Sequence, residues 1–197
     1  MPRVVDHEAR RAEIISAVLA LVAEEGAEGV TVRRAAAAAG LSTGALAHYF
    51  ADKDELLAAA FVEVARRVGR RVAAVSAERD PADLLHHAIT AVLPLDAERR
   101  AEARAWLAFL DRALVRQEVA ALQREVYARW RRQYAEILRA GRRAGVFRAD
   151  LDCEATAAWL IAVADGLTLQ LVFDPAALAA DAVEKLIASH IDALRPR

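Results

Sequence analysis

Five consecutive alanines, Ala35 to Ala39, run directly into Gly40, and this block constrains the fold more than any other part of the chain. Alanine is the best helix former and puts almost nothing between its own backbone and a neighbour's. The block therefore specifies a helix that a second helix can approach closely. Thr31 stands where its hydroxyl can accept an N–H of the first turn, so the helix is expected over Val32–Ala39. Gly40 tolerates the left-handed conformation that ends helices. Leu41 supplies an apolar plug, and Ser42 caps a third helix, Thr43–Tyr49. Two short helices joined by a tight glycine turn have the layout of a helix-turn-helix.

The flanking sequence completes a three-helix unit. Ile14, Ile15, Val18, Leu19 and Val22 recur at helical spacing, giving a first helix over Asp6–Glu25 that Gly26 and Gly29 end. Phe50 closes the third helix. Asp52-Lys53-Asp54-Glu55 then forms a capping box for a long helix, Lys53–Ser76, with Leu56, Leu57, Phe61, Val64 and Val68 inward. After the break at Asp80-Pro81, helices are expected over Pro81–Leu93, Asp96–Val115, Gln117–Ala144, Asp152–Val172 and Pro175–Leu194. The joints are Pro94, Arg116, Gly145 to Phe147, and Asp174-Pro175.

Only 8 Gly and 5 Pro occur in 197 residues, 56% are hydrophobic, and no segment alternates apolar and polar residues. The expected fold class is all-α: a helix-turn-helix domain over 1–52, then a larger helical domain for ligand binding and dimerisation over 53–197. Charge excludes a generic polyanion binder. The net charge is −1, and residues 1–60 hold six basic against nine acidic residues, a net −3. DNA contact there must come from a few placed groups. Cys153 is the only cysteine, and no Cys/His cluster has metal spacing, so neither a disulfide nor a metal site is expected. The first ten residues lack the apolar run of a signal peptide, which points to the cytoplasm. Ala155–Phe173 is apolar but carries Asp165 near its middle. It reads as a helix buried in protein and not a membrane span.

The stretch TVRRAAAAAGLSTGALAHYFADKDELL, Thr31–Leu57, resembles the TetR family pattern. Thr31, Ala38, Ala39, Gly40, Ser42, Gly44, Leu46, Tyr49, Phe50, Lys53 and Leu56 match it. That family often has Tyr where Ala47 stands. The form His48-Tyr49-Phe50 followed by Lys53-Asp54 and Leu56-Leu57 is similar to the BetI-type branch. So are Leu93-Pro94-Leu95-Asp96, Glu98-Arg99-Arg100, Trp106-Leu107-Ala108-Phe109, Asp150-Leu151-Asp152 and Asp165-Gly166-Leu167 downstream. The resemblance implies a dimeric repressor that binds double-stranded operator DNA and is released by a small molecule.

Each role has a chemical reason. A short helix projecting from a rigid unit can enter the major groove. Its outward residues would be Thr43, Gly44, Ala47 and His48: a hydroxyl, a close backbone approach, a methyl and an imidazole for base edges. Ser42, Tyr49, Lys53, Arg33 and Arg34 are phosphate candidates. Two adjacent arginines on a helix are also an ordinary solvated surface. For dimerisation, Val183, Leu186, Ile187 and Ile191 form one stripe and Trp159 and Val163 lie on the helix before it, suiting a four-helix interface or an intrachain core. Trp106, Phe109, Tyr127, Trp130 and Asp165 are the ligand candidates. Aromatic faces with a carboxylate suit a cation, and an apolar ligand is the other choice. No nucleophile elbow, phosphate loop or cofactor motif occurs, so no catalytic residue or cofactor is expected. The competing class is a helical ligand-binding protein or enzyme without operator binding.

Overall fold

The computed structural model describes residues 7–74 and 80–196. Among these it is all-helical: α1 (His7–Gly29), α2 (Val32–Ala38), α3 (Thr43–Ala47), α4 (Lys53–Ala73), α5 (Pro81–Thr90), α6 (Ala97–Val115), α7 (Gln117–Arg143), α8 (Cys153–Phe173) and α9 (Ala180–Asp192). The expected first helical residue, Asp6, and the expected end of α4, Ser76, lie outside the described residues. The chain forms two compact units, one of Met1–Arg66 with Ala101–Ala120, the other of Arg67–Arg100 with Ala121–Arg197. The expected division at Lys53 does not coincide with this one. Part of α6 joins the first unit because Ala105 and Ala108 pack into its core.

That first core is built from Ile14, Val18, Val22, Val30, Ala35, Leu46, Phe50 and Leu56. Gly26 leaves helical geometry at φ 72°, so the regular part of α1 ends where the glycines predict. The turn after α2 is a Schellman closure. The N–H of Leu41 reaches the Ala36 carbonyl at 2.8 Å and that of Gly40 reaches Ala37 at 3.0 Å, with Gly40 at φ 66°. α9 starts five residues later than expected. Asp174 takes the Ala176 N–H on its side chain (3.1 Å) and the Ala177 N–H on its carbonyl (3.1 Å), so Pro175 opens a turn and not a helix.

The core of the second unit runs through Leu85, Ile89, Leu93, Leu138, Phe147, Leu151, Ala157, Leu160, Val183, Ile187 and Ile191. Gly141 marks its tightest point. A Cβ there would lie 2.3 Å and 2.4 Å from two ring carbons of Phe147 and 3.1 Å from Pro81. Phe147 is itself fully buried. Gly141→Ala is therefore expected to destabilise by roughly 1–3 kcal/mol, because overpacking displaces a ring with no free space around it. A urea midpoint unchanged from wild type would mean the ring swings aside at no cost.

α8 is long and apolar enough to cross a membrane by length and composition. Its apolar character has a different source. Cys153, Ala157, Leu160, Ile161, Ala164, Leu167, Thr168 and Leu171 are buried in the chain's own core. The opposite side, with Trp159, Leu169 and Phe173, is exposed. Two apolar faces on one helix read in the sequence as a helix apolar all round.

Candidate functional site

Local capping decides where α3 starts. The Ser42 hydroxyl oxygen accepts the Ala45 N–H at 3.1 Å, which sets the first turn of α3. Leu46, on the inner face, is 0% exposed and fixes the helix to the core. Thr43, Gly44, Ala47 and His48 are exposed together, as their spacing predicts. Ser42 is exposed too, and its O–H proton remains free to donate while the oxygen caps. Tyr49 is half-buried, its ring stacked on His7 with centroids 4.5 Å apart. Arg33 is exposed.

Lys53 is half-buried in the first turn of α4. The capping box forms there with one change. Asp52 accepts the Glu55 N–H at 2.8 Å, but Glu55 reaches back to the N–H of Ala51, at 2.7 Å, one residue before the cap. Asp54 pairs with Arg112 of α6 and with Arg116 in the joint between α6 and α7. The Arg116 hydrogen bond leads in holding its carboxyl below the ordinary range, against a smaller opposing effect of burial. Arg34 is exposed as well, and its guanidinium pairs with Glu25 of α1.

The aromatic candidates divide between the units. Trp106 and Phe109 belong to the first, where Phe109 stacks flat on Phe61 at 3.7 Å. Tyr127, Trp130 and Asp165 come together in the second. The Tyr127 hydroxyl donates to Asp165 Oδ2 at 2.6 Å, and Trp130 meets Tyr127 edge to face at 6.0 Å. Burial raises the Asp165 carboxyl above its ordinary value, and the Tyr127 bond only partly offsets it. Burial, then the bond to Asp165, pushes the Tyr127 hydroxyl up as well, so it stays a donor.

Gln123 was not visible as a site residue. Its side chain is buried, with neither its amide nitrogen nor its oxygen hydrogen-bonded. A buried amide without partners is costly, and a ligand can supply them. Nothing in the polar sequence around it separates Gln123 from a surface glutamine. His86 and His87 each meet a backbone carbonyl, that of Glu184 at 3.3 Å and that of Arg71 at 2.9 Å.

The dimerisation residues need correction. Val183, Ile187 and Ile191 are 0%, 4% and 3% exposed within a single chain, because this stripe of α9 packs inward with α5 and α8. Val163 is half-buried against the same core. Only Trp159 and Leu186 of the six are exposed. The exposed seam runs instead through Ala155, Trp159, Ala162, Leu169 and Phe173 on α8, with half-buried Gly166 among them, and through Ala182, Leu186 and Ser189 on α9 to its C-cap Ala193. Both repeat at alternating steps of four and three residues, the spacing of a helix–helix seam.

A helix anchored by one face and bare on the other is how a helix-turn-helix regulator meets the major groove, and that is the class of protein this fold defines. Residues 14–60 match the bacterial regulatory proteins of the tetR family, and residues 81–196 match the C-terminal domain of BetI-type transcriptional repressors. The chain belongs to the TetR family of transcriptional regulators, with a BetI-type C-terminal domain. It is 30% identical over 197 residues to the HTH-type transcriptional regulator PksA of Bacillus subtilis (strain 168), covering 98% of this chain and 94% of that protein. It is 33% identical over 203 residues to the HTH-type transcriptional regulator BetI of Burkholderia ambifaria (strain MC40-6), covering 98% of each. A putative transcriptional regulator from Saccharomonospora viridis, solved in complex with choline, superposes with a TM-score of 0.84 at 26% identity, over 94% of this chain and 96% of that one. The protein is thus a DNA-binding transcriptional regulator, and its family and relatives are regulators and not enzymes.

Proposed function

We propose that the chain is a cytoplasmic repressor that binds an inverted-repeat operator as a homodimer and releases it when a small organic cation binds the second unit. The observation that carries the first part is the exposed set Thr43, Gly44, Ala47 and His48 on a helix whose other face, Leu46, is fully buried. Thr43 and His48 hydrogen-bond base edges, Ala47 takes a methyl contact, and Gly44 admits the backbone. Ser42, Tyr49, Lys53 and Arg33 meet phosphates and set the register. The exposed seam on α8 and α9 supports the dimer. The Tyr127–Asp165 pair beside Trp130 and Gln123 supports the cation: it offers negative charge, an aromatic face and unpartnered amide atoms. Trp106 and Phe109 are left out of that site.

Selection of duplexes from a random-sequence pool tests the operator. The expected product is an inverted repeat with half-sites about one helical turn apart, or a multiple, bound by two chains. A single asymmetric site bound by one chain would overturn the reading. Lys53→Ala is expected to weaken selected and unrelated duplexes alike, and to make the dependence of log affinity on log salt shallower by about one. Altered base preference at full affinity for the selected duplex would take Lys53 off the phosphate.

A further inference from the structure

Arg10 and Arg11 are neighbours on α1, where successive side chains diverge by about 100°. They reach different helices of the DNA-binding unit. Arg10 Nη2 donates to the carbonyl of Ala39, the C-cap of α2, at 3.1 Å. Arg11 Nη1 donates to the carbonyl of Tyr49, just beyond α3, at 2.5 Å. The Arg11 guanidinium also lies 4.1 Å above the centre of the Phe50 ring, and its Nη2 donates to Glu55 Oε1 at 3.2 Å. Glu55 in turn holds the N–H of Ala51. One fork therefore joins the end of α3, the ring that follows it and the first turn of α4. The end of a helix leaves carbonyls without intrahelical partners and a partial negative charge, so a guanidinium is favoured there.

We propose that Arg11 is a specificity-determining positioning residue, which fixes the angle of α3 against α4 without touching DNA. Thr43 and Ala47 lie on a helix of five residues and His48 is its C-cap, and a helix so short cannot hold its own direction. Base-edge hydrogen bonds require these groups to be placed within roughly 0.5 Å and 10–20°. Contacts to phosphate survive a small rotation of α3; base contacts do not. Arg11 is thus tied to discrimination between sequences and not to general affinity. A flexible ammonium cannot replace it, because the planar fork serves a carbonyl, a carboxylate and a ring face at once. The proposal rests on α3 being the helix that reads bases.

The test compares Arg11→Met and Arg11→Lys in the full chain. Affinity is measured across salt for the duplex that the wild type selects from a random pool and for an unrelated duplex. Arg11→Met keeps the apolar stem. It is expected to weaken the selected duplex about tenfold or more, leaving the unrelated duplex and the salt slope as in wild type. Arg11→Lys is expected to lose discrimination by a smaller factor. Should Arg11→Met fail to fold, Arg11→Lys decides alone, since it retains charge and loses the fork. Equal weakening of both duplexes with a shallower salt slope would make Arg11 a phosphate contact and overturn the proposal. So would unchanged discrimination in a folded variant. A wild type that selects no sequence removes the reading of α3 itself, an outcome distinct from either.

Discussion

Leu186→Glu is expected to convert the proposed dimer to monomers while leaving the helices folded, and Ile187→Glu, one residue on, is expected to unfold the chain. Leu186 is 41% exposed and sits on the exposed seam of α9. Trp159 at 47%, Leu169 at 44% and Phe173 at 80% are exposed on α8. Four of the seven exposed large apolar side chains among the described residues lie on these two helices, a grouping of the kind that a partner covers. A two-fold interface uses the same patch on both chains, so each substitution acts twice. An unpaired carboxylate moved out of water costs several kcal/mol, and every 1.4 kcal/mol is a factor of about ten, so the dimer should weaken at least 100-fold. Operator affinity falls with it, because a monomer grips one half-site. Ile187 is 4% exposed and belongs to the intrachain core, where the same charge costs folding itself. Sedimentation velocity beside circular dichroism separates the two. A Leu186→Glu protein that is still dimeric and fully helical would move the interface to another face.

The contrast between those neighbours shows what a sequence pattern can carry. Helix capping is local, so Thr31, Gly40, Ser42 and Asp52 placed the helix-turn-helix nearly to the residue, and the outward set on α3 followed from the inward position of Leu46. The second unit was legible only as helices. Both seams of α9 are apolar, and periodicity cannot say which one meets the chain's own α5 and α8 and which meets another molecule; the buried choice, Val183, Ile187 and Ile191, is a tertiary fact. The ion pair of Arg34 was hidden for the same reason. Its partner Glu25 lies nine residues away, on another helix. Asp165 stood out as the one acid inside an apolar stretch, but that its partner is Tyr127, 38 residues earlier, depends on how α7 and α8 pack. Arg11 carried no signal at all, since an arginine in the first turns of an amphipathic helix reads as solvated surface.

Asp165→Asn is expected to lower affinity for a cationic ligand about 30-fold or more while leaving operator binding near wild type, because removing one partner of a desolvated charge pair costs at least about 2 kcal/mol. Asn keeps the size of the side chain and an oxygen that can still accept the Tyr127 hydroxyl, so geometry is preserved and charge alone is lost. Titration also distinguishes wild type from variant. Burial raises the folded carboxyl above its ordinary value of 3.8, which has two consequences of opposite use. For folding, the stability contribution of Asp165 is fully present below 3.8 and is lost as pH rises through the folded value, so Asp165→Asn should be the more stable protein at neutral pH. For a cation, which prefers the ionised carboxylate, affinity should grow as pH rises through that same folded value and then level off. Tyr127 contributes no such step, because burial and its bond to Asp165 hold its proton far above neutral pH. The probes are choline and a series of primary to quaternary ammonium compounds, first by thermal shift and then by isothermal titration from acid to neutral pH. A compound that stabilises the wild type, with an affinity that rises with pH in the wild type and stays flat in the variant, is the expected result. By reciprocity it must also bind more weakly to the operator-bound dimer, by the same factor by which it weakens operator affinity. Equal affinity in both proteins, or no shift with any ammonium compound, would remove the cation reading and leave Asp165 as a structural partner of Tyr127.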